Sequence, residues 1–193
     1  MLSGRFTQAV DYAREAHASQ TRKGTSIPYI AHLLGVASLV LDYGGDEDQA
    51  IAALLHDTIE DQGVHHEAVI RRQFGDRVAD IVLSCTDGTQ AGKAAITPEA
   101  KRADWEKRKR SYLAHLAETS DDALLVSGCD KLHNARAIVT DLHNPAVGAA
   151  VFDRFTGKRD GTLWYYREIA SIFKARKAPM AGALDRMVRA MQD

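Results

Sequence analysis

The apolar residues of this chain return at every third or fourth position, and nowhere do they alternate over a long stretch. That spacing lines one face of an α-helix, whereas a half-buried strand needs a period of two, so the pattern confines the chain to helices. Phe6, Val10, Ala13 and Ala16-His17 mark one face of a first helix. Ile30 to Tyr43 reads as a second, mostly buried helix stopped by Gly44-Gly45. Asp46 stands where an N-cap would open a third, Glu47 to His56. His65 to Phe74 and Asp76 to Cys85 predict two short helices divided at Gly75. Thr97-Pro98-Glu99 opens a charged helix to about Glu118, with proline in its first turn. Ser120-Asp121-Asp122 caps the next, Ala123 to about Leu142, which Asn144-Pro145 breaks. Two last helices cover roughly Asp160 to Lys174 and Pro179 to Met191. Residues 87–98 hold no period and read as a surface loop. With no repeat, low-complexity tract or linker, the expectation is one all-α domain over residues 1–193.

Composition narrows the partners. A chain of 193 residues buries about 70% of its unfolded surface and needs no disulfide or metal merely to fold. Lys and Arg total 25 against 26 Asp and Glu, a net charge of −1, which argues against a nucleic-acid partner and its basic footprint. The most apolar run, Leu33 to Leu41, is far below the roughly 20 residues that span a bilayer, so no membrane is expected. Met1 to Phe6 lacks the basic start and apolar run of a secretory signal. Cys85 and Cys129 are too few for a disulfide framework, and free thiols suit a reducing, cytoplasmic setting. A homo-oligomer is compatible with the sequence, which carries no signal for or against one.

Charge inside apolar runs is the stronger clue. His56-Asp57 ends the run Ala52-Ala53-Leu54-Leu55, where the chain should be buried. Charged groups are rarely fully buried unless paired or bound to metal. His32 follows Pro28-Tyr29-Ile30-Ala31 at the start of an apolar helix, and Asp130 follows Leu124-Leu125-Val126-Ser127-Gly128-Cys129 inside another. Two imidazoles and two carboxylates suit a divalent ion of the Mn, Fe, Zn or Mg range. Taken singly, His32 also fits a satisfied core histidine, His56-Asp57 a helix C-cap and Asp130 half of an ion pair. Glu60 and Asp61 lie three and four residues beyond Asp57, so one helical turn returns them to its side. Such a pair can orient a water and accept its proton. Asn134, four residues after Asp130, shares its helix face.

Three segments together carry a family resemblance: Pro28-Tyr29-Ile30-Ala31-His32, then His56-Asp57-Thr58-Ile59-Glu60-Asp61, then Asp130-Lys131-Leu132-His133-Asn134-Ala135-Arg136. In this order, over roughly residues 5 to 175, the chain resembles the HD-domain hydrolases of the RelA/SpoT type. It is most similar to the small single-domain alarmone hydrolases that lack a synthetase half. The resemblance implies an HD-domain helical bundle with a metal site between its core helices. It implies Mn²⁺ held by His32, His56, Asp57 and Asp130, with Glu60 and Asp61 as the catalytic acids. The implied substrate is a small guanine polyphosphate, guanosine tetra- or pentaphosphate, hydrolysed at its 3′-diphosphate with release of pyrophosphate.

The resemblance also implies substrate contacts from Arg22-Lys23, Asn134 and Tyr165. By residue type, a guanidinium stacks on a base and an ammonium meets phosphate, though Arg22-Lys23 equally reads as a solvated basic loop. Tyr165 sits in Leu163-Trp164-Tyr165-Tyr166, which also fits a core anchor. The chain departs from the family in the Ala-rich segment from Thr89 to Pro98 and in Cys129 before Asp130. Neither departure removes a ligand, but both bear on nucleotide preference. Two other readings share the residues: a phosphatase acting on a nucleoside monophosphate or on the 2′-phosphate of NADPH, and a nucleotide sensor without turnover. The Glu60-Asp61 pair speaks against the sensor, because a pure binder has no use for a water-activating pair.

Overall fold

Asp46 and Gln49 form a reciprocal capping box: Asp46 Oδ1 accepts from the Gln49 amide at 3.0 Å and Gln49 Oε1 from the Asp46 amide at 2.8 Å. Side-chain caps open four of the ten α-helices described in the computed structural model, which covers residues 1–86 and 97–192. The described residues form α1 (Gly4–Ala16), α2 (Ile30–Asp42), α3 (Glu47–Leu55), α4 (Thr58–Gln62), α5 (His66–Phe74) and α6 (Asp76–Cys85). They continue with α7 (Pro98–Glu118), α8 (Asp121–His143), α9 (Lys158–Ala175) and α10 (Ala181–Ala190). No strand forms among the described residues; Thr21 and Pro28 make an isolated antiparallel bridge. The all-α expectation holds. The loop expected over 87–98 lies, up to residue 96, outside the described residues.

The Thr97 hydroxyl caps α7 by accepting from the Ala100 amide at 3.2 Å, and Ser120 caps α8 through the Ala123 amide at 3.3 Å. Gly44, at φ +84, lets the chain reverse after α2 while the Gly45 amide returns to the Val40 carbonyl at 2.8 Å. Two features differ from the sequence reading. The third helix stops at Leu55, so His56-Asp57 forms a two-residue corner before the separate helix α4. A 3₁₀ helix, Gly148–Arg154, follows the Asn144-Pro145 break; so short a turn leaves no apolar period to read.

The described residues pack as two compact units: 1–86 with 120–130, and 97–119 with 131–192. In the first, α3 packs against α1, α2 and α6. Ala50 through Leu55 are fully buried, because α3 is covered on every side and needs no polar face. Each buried Leu or Ile there contributes about 1.5–3 kcal/mol. The first part of α8 is tied in by Asp122, which accepts from Gln49 Nε2 at 3.0 Å and Arg77 Nε at 2.9 Å. In the second unit α9 packs against α7 and α10 around Ile169, Phe173 and Leu184. No described helix is long and apolar enough to cross a membrane.

Candidate metal centre

His56 stands at the C-terminal cap of α3. Its backbone stays helical, at φ −58 and ψ −31, so its ring turns back over the last turn of α3. Nδ1 donates to the Ala53 carbonyl at 2.8 Å, which leaves Nε2 as the inward nitrogen. That Nε2 is buried and makes no hydrogen bond. Asp57 Oδ2 lies 3.1 Å from it and Asp130 Oδ1 3.6 Å. The first turn of α2 brings in His32, whose Nε2 is 3.2 Å from Asp130 Oδ1 and 3.6 Å from Asp57 Oδ2. Donor atoms of His32, His56 and Asp130 all lie within 4.8 Å of one another.

A lone-pair nitrogen facing two carboxylate oxygens is unfavourable unless a positive charge stands between them. Burial works against charge on His56, but Asp57 and then Asp130 outweigh it and hold its pKa well above the ordinary histidine value. For Asp57, burial favours the neutral acid, yet His56 and His32 overcome it and hold its carboxyl well below the usual range. The ring of donors therefore suits a proton or a cation. Donors bonded to one ion at about 2.1 Å stand about 3.0–3.4 Å apart at octahedral or tetrahedral angles, close to the separations here. The residues fit a divalent metal. Asp57 is 22% exposed, against 1% for His32 and 7% for Asp130, so the cluster opens on the Asp57 side.

Tyr29, in the turn that opens α2, donates its hydroxyl to Asp57 Oδ2 at 2.5 Å. Glu60 and Asp61 are on α4, one turn past the corner, where the Asp61 amide closes on the Asp57 carbonyl at 2.9 Å. Asp61 Oδ2 accepts from Gln20 Nε2 at 2.8 Å. Arg22 and Lys23 lie in the tight loop pinned by the Thr21–Pro28 bridge, Arg22 half-buried and Lys23 exposed. The first unit thus carries His32, His56, Asp57, Asp130, Glu60, Asp61 and the basic loop. Asn134 and Tyr165 belong to the second unit. Asn134 follows Asp130 by one turn of α8; Tyr165 is buried on α9 with Lys109 Nζ 4.7 Å from its ring centroid. Residue type and spacing did not single out Tyr29, His17 or Gln20 as site residues; Tyr29 falls inside the Pro28–His32 segment that carries the family resemblance, and His17 and Gln20 have no such signal.

The HD domain family model matches residues 9–163, and this chain belongs to that family. Within it, the chain is similar to guanosine-3′,5′-bis(diphosphate) 3′-pyrophosphohydrolase MESH1. Identity to the Xenopus tropicalis protein is 39% over 132 residues, 67% of this chain and 66% of that one. The Mus musculus protein is 33% identical over 137 residues, 69% of each chain. A guanosine-3′,5′-bis(diphosphate) 3′-pyrophosphohydrolase of Aquifex aeolicus is 35% identical over 133 residues, 68% of this chain but 17% of that longer protein. A solved metazoan ortholog of SpoT that hydrolyzes ppGpp shares the fold, with a TM-score of 0.76 and 24% identity over 98% of this chain and 96% of that one. Lmo0812 of Listeria monocytogenes EGD-e matches with a TM-score of 0.67 and 27% identity, over 82% of this chain and 96% of that one.

Proposed function

We propose that this chain is a Mn²⁺-dependent hydrolase that removes the 3′-diphosphate of guanosine tetra- or pentaphosphate and releases pyrophosphate. One observation carries the reading: the buried, hydrogen-bond-free Nε2 of His56 facing two carboxylates. Similarity to proteins named for this reaction supports the substrate. His32, His56, Asp57 and Asp130 would hold the ion, and their mixed nitrogen and oxygen set suits Mn²⁺ among its neighbours. When bound, such an ion lowers the pKa of water and polarises a phosphoryl oxygen, supplying a nucleophile near neutral pH.

The chain's own groups do the rest. Glu60 and Asp61 orient the attacking water, and a carboxylate oxygen of the pair takes its proton. Water adds at the phosphorus on the ribose 3′-oxygen; that oxygen leaves and is protonated, and pyrophosphate departs. Arg22 stacks on the base, Lys23 meets phosphate, and Asn134 and Tyr165 complete the substrate contacts. The family match runs through both compact units, which supports reading the chain as one hydrolase domain. Free thiols at the buried Cys85 and Cys129 suit a cytoplasmic enzyme.

The test is a nucleotide panel with metal-stripped protein resupplied with single divalent ions, scored for pyrophosphate and orthophosphate. Pyrophosphate from guanosine tetraphosphate with Mn²⁺ is the expected result. No pyrophosphate with any ion overturns the proposal. Orthophosphate from a nucleoside monophosphate or NADPH moves the substrate, and tight binding without turnover makes the chain a sensor.

A further inference from the structure

Gln20 has a side chain with two polar ends, and both are engaged. Its Nε2 donates to Asp61 Oδ2 at 2.8 Å. Its Oε1 accepts from Gln62 Nε2 at 2.6 Å and lies 2.7 Å from His17 Nδ1. His17 is itself fixed: it is 3% exposed, its Nε2 is 3.3 Å from Thr58 Oγ1, and its ring stacks on Tyr29 with centroids 5.2 Å apart. The Gln20 main chain is held as well, its carbonyl accepting from the Tyr29 amide at 2.9 Å.

These contacts settle which way the amide faces. The Asp61 carboxylate only accepts, so the Gln20 NH₂ group must point at it, which leaves Oε1 toward the Gln62 amide NH₂ and His17 Nδ1. The reversed amide would set its oxygen against the Asp61 carboxylate and its NH₂ against the Gln62 NH₂. Groups from the turn after α1 and from α4 therefore form one net that reaches the Asp61 carboxylate.

We propose that Gln20 is a positioning residue: it fixes the rotation of the Asp61 carboxylate for proton transfer. The inference rests on the hydrolase reading and adds to it a donor that orients Asp61. Gln20 touches none of the four metal donors, so its loss leaves metal affinity and substrate binding in place. A carboxylate held by one donor fewer spends less time in the productive pose, which lowers kcat and leaves KM nearly unchanged.

The experiment compares wild type with Gln20→Leu and with Gln62→Leu, which removes the Gln62 donor to the Gln20 oxygen and its 3.3 Å contact with His17 Nδ1, and leaves His17 beside that oxygen. Loss of an orienting partner predicts about a tenfold to hundredfold drop in kcat for Gln20→Leu. A smaller drop is expected for Gln62→Leu, with Mn²⁺ affinity by calorimetry unchanged in both. In an Asp61→Asn background, Gln20→Leu should cost little more, because it acts through Asp61. Full kcat in Gln20→Leu, or an undiminished loss in the Asp61→Asn background, overturns the proposal. A crystal structure of Gln20→Leu judges it whatever the substrate: an unmoved Asp61 carboxylate overturns it. Wild-type inactivity on guanosine tetraphosphate would instead overturn the hydrolase reading.

Discussion

Tyr29 and Asp57 share one short hydrogen bond, 2.5 Å from the phenol to Oδ2, and that same Oδ2 is the Asp57 atom 3.1 Å from His56 Nε2 and 3.6 Å from His32 Nε2. The oxygen that would bind metal is thus held by a donor outside the ring. Burial, then the negative charge of Asp57, Asp61 and Asp130, pushes the Tyr29 pKa far above its ordinary value. The phenol therefore stays a protonated donor over the whole working pH range.

Tyr29→Phe removes only that donor. Partners that orient metal ligands typically change affinity about tenfold to a hundredfold. Calorimetric titration of metal-free protein with Mn²⁺ should show a weakening of that order. Unchanged affinity would mean that the corner after α3 alone orients Asp57.

His56→Ala and Glu60→Gln should separate metal binding from proton transfer. The first removes a donor of the ring and should lose bound metal and turnover together. The second should bind Mn²⁺ as wild type does while kcat falls about 10²- to 10⁴-fold. Full activity in Glu60→Gln would show that the proton goes elsewhere.

Asp46 opens the helix that carries the HD corner, and Asp46→Ala should cost about 1 kcal/mol in urea unfolding. Burial acts to raise its carboxyl, but the Gln49 amide and then the Arg77 guanidinium, 2.7 Å away, outweigh burial and hold it below the ordinary value. A carboxyl lower in the folded than in the unfolded state adds stability above its unfolded pKa of about 3.9, lost as pH falls through the folded value. Asp46→Asn keeps a capping oxygen and does not titrate. Its deficit against wild type should therefore shrink from about pH 5 to about pH 3; parallel curves would exclude this titration as a source of acid sensitivity.

Gly157 lies under the Trp105 indole, where an added Cβ would sit 2.5 Å from Cη2 and 2.7 Å from Cζ2. Its φ of −72 suits any residue, so the conflict is with the ring and not the backbone. Gly157→Ala should destabilise by about 1–3 kcal/mol in denaturant unfolding. Combined with Trp105→Leu the two losses should add to less than their sum. Strict additivity would show that the indole moves aside at no cost.

How readable each part was depends on its range along the chain. Asp46-Gln49, Thr97-Ala100 and Ser120-Ala123 are signals three residues long, and the helices they open begin where those signals stand. The corner at His56-Asp57 was harder, because the apolar run before it reads on into a single helix through His56. The backbone stays in the helical region at both His56 and Asp57, so the boundary before α4 is a local break that periodicity does not carry.

The four proposed metal donors could be named by type, as polar groups stranded in apolar runs. Their convergence could not, because it needs α2, the α3–α4 corner and α8 to meet in three dimensions. The same holds for which His56 nitrogen faces the carboxylates, decided by the Ala53 carbonyl at 2.8 Å. It holds most of all for the bond from Gln20 to Asp61, 41 positions apart. A side-chain hydrogen bond needs its atoms within about 3 Å, and only the packing of α1 against α4 brings these two that close.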